Sequence, residues 1–264
     1  MVDKPRAAAA AAFGLTILMA ACGSSSSAGP TPTPTPTGPT MSGSLTVFAA
    51  ASLTEAFNDD RARLSSASPG LSLTYSFAGS QQLVAQVQSG APADVVATAD
   101  EANMQKLVAA NLVDTPRDFA RNLLEIVVPP GNPKGVTGLA DLARSDLKVV
   151  LEDPSVPAGK YGRQALDRAG VTVRPVSLEL DVKSELQKIE TGEADAGIVY
   201  VTDVRSAGSR ASGVQIPAAQ NVVATYPVAV VRGAKNRDAA QRFVDQLING
   251  AGREALKARG FLAP

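Results

Sequence analysis

The chain predicts an α/β fold with a largely parallel sheet. Three observations lead there. From residue 44 onward, short β-rich runs alternate with helical patterns, the order that builds α/β layers. Glycines and prolines close many of those runs, as at Gly90, Pro129-Pro130-Gly131, Gly170 and Gly260. Hydrophobic residues make up 45% of 264 residues, which supplies a core for at most two compact domains.

The elements follow in order. Residues 45–49 read as a strand, and 53–64 suit a helix. Residues 71–77 alternate with period two, the mark of a strand with one buried face. A helix over 81–88 stops at Gly90, a strand follows at 94–98, and a helix at 101–110. A second set has strands at 123–128 and 147–151, a helix at 159–169 with Gly170 as its stop, a helix at 182–190 and a strand at 196–201. The chain closes with a strand at 222–231 and helices at 238–248 and 253–259.

Ligands of open α/β sheets bind at the carboxyl ends of strands. Ser52, Ser80, Ala158 and Val182 share one local form there: strand end, short turn, small or polar residue, helix start. Ser52-Leu53-Thr54-Glu55 has the spacing of a capping box, in which Ser52 Oγ accepts from the Glu55 N–H and Glu55 reaches back. Ser80 stands in the same position after Gly79, whose missing side chain lets backbone N–H groups approach a ligand. A plain cap accounts for either serine taken alone. In the run from Asp153 to Gly159, two prolines hold the chain extended until the helix begins, and Ala158 and Gly159 leave the first N–H groups unshielded. That suits an anion at the positive helix end, or simply a proline-punctuated loop. Asp181 is the expected N-cap of the next helix, with Val182 presenting its first N–H. Tyr200 ends a buried-type strand, as core, rim, or a hydroxyl aimed into a cleft.

Composition excludes whole classes of chemistry. There is no His, and Cys22 is the sole Cys. A Ser-His-Asp triad, a Cys-His pair, an imidazole-held zinc and an internal disulfide are all impossible. Lys+Arg and Asp+Glu both count 25, so the chain lacks the basic excess of a nucleic-acid binder. No G-x-S-x-G elbow or P-loop occurs, and Ser145-Asp146-Leu147-Lys148, an S-x-x-K string, sits in a polar, exposed setting. Asp153 and Asp181 are a poor acid–base pair, since loop bracing and capping occupy them. The chain is expected not to be an enzyme and to need no cofactor.

Residues 1–21 read as a secretory signal: Lys4 and Arg6, then an uncharged run from 7 to 21, too short to span a membrane, which takes about 20 apolar residues. Leu18-Met19-Ala20-Ala21-Cys22 resembles the lipobox of bacterial lipoproteins, with Met19 where Leu is usual. That resemblance implies cleavage before Cys22 and a lipid on its thiol. Residues 22–43, rich in Ser, Thr and Pro, form a tether that cannot bury a core.

Taken together, the stretches 47–54, 76–80, 90–95, 153–159, Asp181-Val182, 197–200 and 226–228 resemble, in register, the periplasmic molybdate-binding proteins (the ModA family) of bacterial molybdate ABC importers, in a lipoprotein form. The resemblance runs from about Leu45 to Phe261. It implies a two-lobe periplasmic-binding-protein clamshell, each lobe a mixed, mostly parallel sheet flanked by helices, joined by crossing strands. Lobe 1 would take 44–123 plus 227–264 and lobe 2 would take 124–226. The resemblance further implies that Ser52 and Ser80 bind the oxyanion through hydroxyl and N–H, Ala158 and Val182 through backbone N–H, and Tyr200 through its hydroxyl. The ligand would be molybdate or tungstate, the only metal being the one inside that oxyanion. The partners would be a permease and its ATPase, the location the outer face of the cell membrane, through lipidated Cys22, and the protein a monomer. Gly79 departs from the family's frequent Ser, and it is expected to leave the ligand geometry intact. Sulfate or a small organic anion on the same fold stands as the alternative; a carboxylate ligand would call for an Arg in the cleft. Lys160 and Arg163, just after Ala158, are expected to face solvent or the importer.

Overall fold

The computed structural model describes residues 40–264. The signal, Cys22 and the tether up to residue 39 lie outside the described residues. Packing is already made at Met41, which is buried and donates its N–H to Ser68 Oγ at 3.0 Å.

The elements run β1 (Gly43–Ala50), a 3-10 turn (Ala51–Leu53), α1 (Thr54–Ala67), β2 (Leu71–Ala78), α2 (Ser80–Gln88), β3 (Val95–Ala97), α3 (Glu101–Ala109) and β4 (Arg117–Val128). Then come β5 (Val150–Glu152), α4 (Pro157–Ala169), β6 (Ser177–Glu179), α5 (Val182–Glu190), β7 (Gly197–Tyr200), α6 (Val201–Ala207) and β8 (Ser212–Gln215). The chain ends with β9 (Val223–Val230), α7 (Arg237–Asn249) and α8 (Ala251–Arg259). Every strand and helix expected from sequence is present. Three were not foreseen: β6, α6 and β8. In addition, β4 begins at Arg117 rather than 123.

The sheet order is β2-β1-β3-β9-β4-β7, with β8 also on β4 and a separate pair β5-β6. The parallel pairs are β1 with β2, β1 with β3, and β5 with β6, and each of these strands is followed by a helix. The antiparallel ladders all involve β4 or β9. β4 changes partners midway. Residues 117–123 pair with β9, and 124–128 with β7 and β8. One strand therefore belongs to two sub-sheets, and β9 accompanies it through the first. Asn221 secures the changeover, accepting from Leu124 N–H at 3.1 Å and donating to Leu124 O at 2.8 Å.

Helices cover the sheet, as a parallel arrangement requires. Phe57, Phe119 and Phe243 are buried beside Tyr75, with ring centroids 5.5–6.3 Å apart. Each such ring contributes about 2–3 kcal/mol of burial. A smaller core of Phe48, Leu83, Val84, Met104 and Leu107 seats α2 and α3. Buried Asp94 ties this region together: Oδ2 accepts from Thr46 N–H at 2.8 Å and Oδ1 from Lys235 N–H at 2.7 Å. Among the described residues no helix is long and apolar enough to cross a membrane.

Candidate oxyanion site

The five candidate residues come from five separate strand-to-helix junctions. Ser52 lies in the turn after β1, Ser80 opens α2 after β2, and Ala158 lies in the first turn of α4 after β5. Val182 opens α5 after β6, and Tyr200 ends β7 directly before α6. All five line one cavity. Chain distance kept them apart; the sheet order brings them together.

The local chemistry differs from expectation in three places. Ser52 does not cap α1. The 3-10 turn inserts before the helix, Leu53 becomes the N-cap without a side-chain bond, and the Ser52 hydroxyl turns inward to share a 3.0 Å hydrogen bond with Tyr226 Oη. Glu55, freed from the capping role, accepts from Lys183 Nζ at 2.8 Å. Likewise Gly79 is the N-cap of α2, its N–H satisfied by Gln82 Oε1 at 3.1 Å, while Ser80 Oγ accepts from the Ala99 N–H at 3.0 Å. The run 153–156 is also not extended. It is a turn closed by Val156 N–H on Asp153 O at 2.9 Å, with Ser155 N–H and Oγ both on Asp153 Oδ1. The helix then starts at Pro157, a residue pre-set for the first helical position, so Ala158 and Gly159 both fall inside the first turn. Asp181 behaves as expected: Oδ1 accepts from Lys183 and Ser184 N–H, each at 2.9 Å.

The consequence is a ring of donors. Ser80, Ala158 and Val182 sit where helical N–H groups have no partner four residues back. Their helix dipoles add positive potential at the same point. The Tyr200 hydroxyl is buried without a partner among the described residues. Burial, and then Tyr226 and Glu152 nearby, push its pKa well up, so it remains a donor. Among the described residues no Lys or Arg lines the cavity. The cavity is narrow, with a volume of about 10 Å³. Pockets for drug-sized organic molecules run to roughly 300–1,000 Å³. The site is shaped for one small, compact anion.

Around the ring, contacts join elements of the two sub-sheets. Lys183 of α5 pairs with Glu55 of α1 and, at 3.0 Å, with Asp203 of α6. Burial opposes its charge, but Asp203 and Glu55 outweigh that and raise its pKa. Lys160 lies 3.9 Å from buried Asp100 while its side chain stays open to solvent. Gln81 Nε2 donates to Leu180 O at 2.9 Å. Gly79 meets the same carbonyl: a Cβ there would lie 2.3 Å from Leu180 O, so the departure from Ser is what permits this close approach.

Sequence reasoning gave no role to Tyr226, Lys183 or Glu152. Tyr226 and Lys183 find their partners 174 and 128 residues away in the chain. Glu152 follows the strand expected at 147–151, with nothing local to mark a buried carboxyl.

The bacterial extracellular solute-binding protein family matches residues 45–262. The molybdate-binding protein ModA of Mycobacterium tuberculosis is 42% identical over 229 residues, covering 86% of this chain and 88% of that one. Among solved structures, the periplasmic molybdate-binding protein of Azotobacter vinelandii superposes with a TM-score of 0.72 at 20% identity, over 83% of this chain and 99% of the other. The sulfate-binding protein SubI of M. tuberculosis superposes with a TM-score of 0.70 at 21% identity, over 83% and 86%. At such identities the last two speak for the two-lobed fold, and the fold alone serves more than one oxyanion. With the family matched across the described part and the ModA relative covering most of it, the chain belongs to the bacterial extracellular solute-binding proteins, in the ModA family.

Proposed function

We propose that the protein captures molybdate, and tungstate with it, between its two lobes outside the cytoplasm and delivers it to the permease and ATPase of an ABC importer. It is a binding protein and not an enzyme. The observation that carries the reading is the convergence of neutral donors from five junctions on one small cavity without a cation. A dianion held this way has its charge spread over fixed dipoles, and the spacing of the donors selects its size. Sulfate is smaller, so some donors would be left unmet, at about 1–3 kcal/mol each. Hydrogenphosphate carries a proton that a ring of donors does not accept.

In this reading Ser52 and Ser80 serve from the lobe of 44–123 plus 227–264. Ala158, Val182 and Tyr200 serve from the lobe of 124–226. Ligands from both lobes make the closed state the binding state. Cys22 carries a lipid that holds the protein on the outer face of the cell membrane, and the protein acts as a monomer. Cys22→Ser should move it from the membrane fraction to the soluble one.

The test follows the melting temperature with molybdate, tungstate, sulfate and phosphate in turn. A ligand at a hundred times its Kd stabilises by about 2.7 kcal/mol, or roughly 5–10 °C for a chain this size. The shift should come with molybdate and tungstate and vanish in Ser52→Ala/Ser80→Ala. A shift with sulfate or phosphate instead would overturn the ligand and keep the fold.

A further inference from the structure

Glu152 ends β5 and lines the cavity at 1% exposure. Neither of its carboxyl oxygens has a hydrogen-bond partner among the described residues. Its surroundings are acidic. Glu185 of α5, Asp181 at its N-cap and Asp203 of α6 lie near it, as does the Tyr200 hydroxyl. Nearby Lys183 is engaged by Asp203 and Glu55. The Gly159 N–H, at the start of α4 but outside hydrogen-bond geometry, favours a negative charge on it. Burial first, and then the neighbouring carboxylates, push its pKa well up. A neutral carboxyl has one O–H to donate, and no described residue accepts it. The species this cavity is built to admit is rich in acceptors and nothing else.

We propose that Glu152 is a sixth contact of the oxyanion, its protonated carboxyl donating a hydrogen bond to the bound ion. The inference rests on the molybdate reading above. It explains how a carboxyl sits in an anion site without repelling the anion, and it predicts that alkali weakens binding. Once the proton leaves, a donor becomes a second negative charge facing a dianion.

The experiment is calorimetric titration of the purified full-length protein with molybdate, from mildly acid to alkaline pH, beside Glu152→Gln and Glu152→Ala. The amide of Glu152→Gln donates from the same place, so its affinity should stay within about threefold of wild type. Glu152→Ala should lose roughly 10- to 100-fold, the share of one hydrogen bond to a charged acceptor. Wild-type affinity should fall as pH rises while that of Glu152→Gln stays level, a difference that a purely structural role would not produce. If Glu152→Gln lost as much as Glu152→Ala, or if it shared the wild-type pH profile, the contact would be refuted. Should Glu152→Ala fail to fold, the near-isosteric Gln variant and the pH profile still decide. Wild-type protein that gave no heat with molybdate at any pH would sink the molybdate reading itself, a separate and recognisable failure.

Discussion

Alanine at position 159 asks whether the place of one backbone N–H sets the grip on molybdate. A Cβ on Gly159 would lie 2.1 Å from Asp153 O and 2.6 Å from Glu152 O, both backbone atoms that cannot swing aside. Ordinary contact begins near 3.4 Å, so the first turn of α4 must retreat by more than 1 Å. Ala158 precedes Gly159 and moves with it. A hydrogen bond drawn at about 2.9 Å does not survive such a step. Losing one bond to a charged acceptor costs about 1.5–3 kcal/mol, which is roughly 10- to 150-fold in Kd. Gly162, one turn along the same helix, is the control. Its Cβ would meet only Ile198 side-chain atoms at 3.6–3.8 Å, ordinary packing. Gly162→Ala should bind like wild type and gain up to about 1 kcal/mol of helix stability. Calorimetric titration with molybdate gives the two Kd values, and thermal melts establish that both variants fold. Folded Gly159→Ala that binds within twofold of wild type, or Gly162→Ala that binds as poorly as Gly159→Ala, would refute the reasoning.

Three further substitutions probe the surroundings. Gly79→Ser places a Cβ against Leu180 O, and overpacking of about 1–3 kcal/mol should fall on the closed state; we expect molybdate affinity to drop about tenfold with the ligand-free melting temperature unchanged. Lys183→Met strips Asp203, whose side chain is fully buried, of its cation; the melt should show a loss of about 3 kcal/mol, and adding Asp203→Asn should restore much of it. Glu185 is buried, and burial first, with Glu179 and Asp203, holds its pKa well above the ordinary carboxylate range, against the Ile198 N–H it accepts at 2.6 Å. Because its folded pKa is the higher one, the stability it contributes is complete below the unfolded value and drains away as pH rises toward the folded value. Glu185→Gln should therefore flatten the pH dependence of denaturant melts above the ordinary carboxylate range, removing up to about 1.4 kcal/mol per pH unit of decline.

What could be read before the structure was local. The helix 182–190 was legible because Asp181 caps it and its apolar residues repeat at helical spacing. The strand-end junctions were legible because each spans only a few residues. The amino-terminal half of β4 was not: Arg117, Asp118 and Arg121 break up any apolar run there, and pairing with β9 makes that stretch a strand. β8, Ser-Gly-Val-Gln, has little strand character of its own and exists by its pairing with β4. In the site, the residue types were visible but not their hydrogen bonds. Ser52 looked like a cap because four consecutive residues fit one; its hydroxyl answers to Tyr226 instead, a partner that periodicity does not reveal. Glu152 went unnoticed because carboxylates are ordinarily solvated.

A cavity lined by dipoles and free of cations has a consequence for where the protein can work. Receptors that hold an anion with surface lysines loosen as dissolved ions screen the pair, over about 10 Å at 0.1 M salt. In the reading proposed above the charge is met by groups that carry none, and among the described residues no cation lines the cavity for small ions to compete for. The balance of 25 basic and 25 acidic residues leaves little long-range steering for salt to damp. A scavenger built in this way is expected to lose little of its hold on its trace nutrient as salt rises.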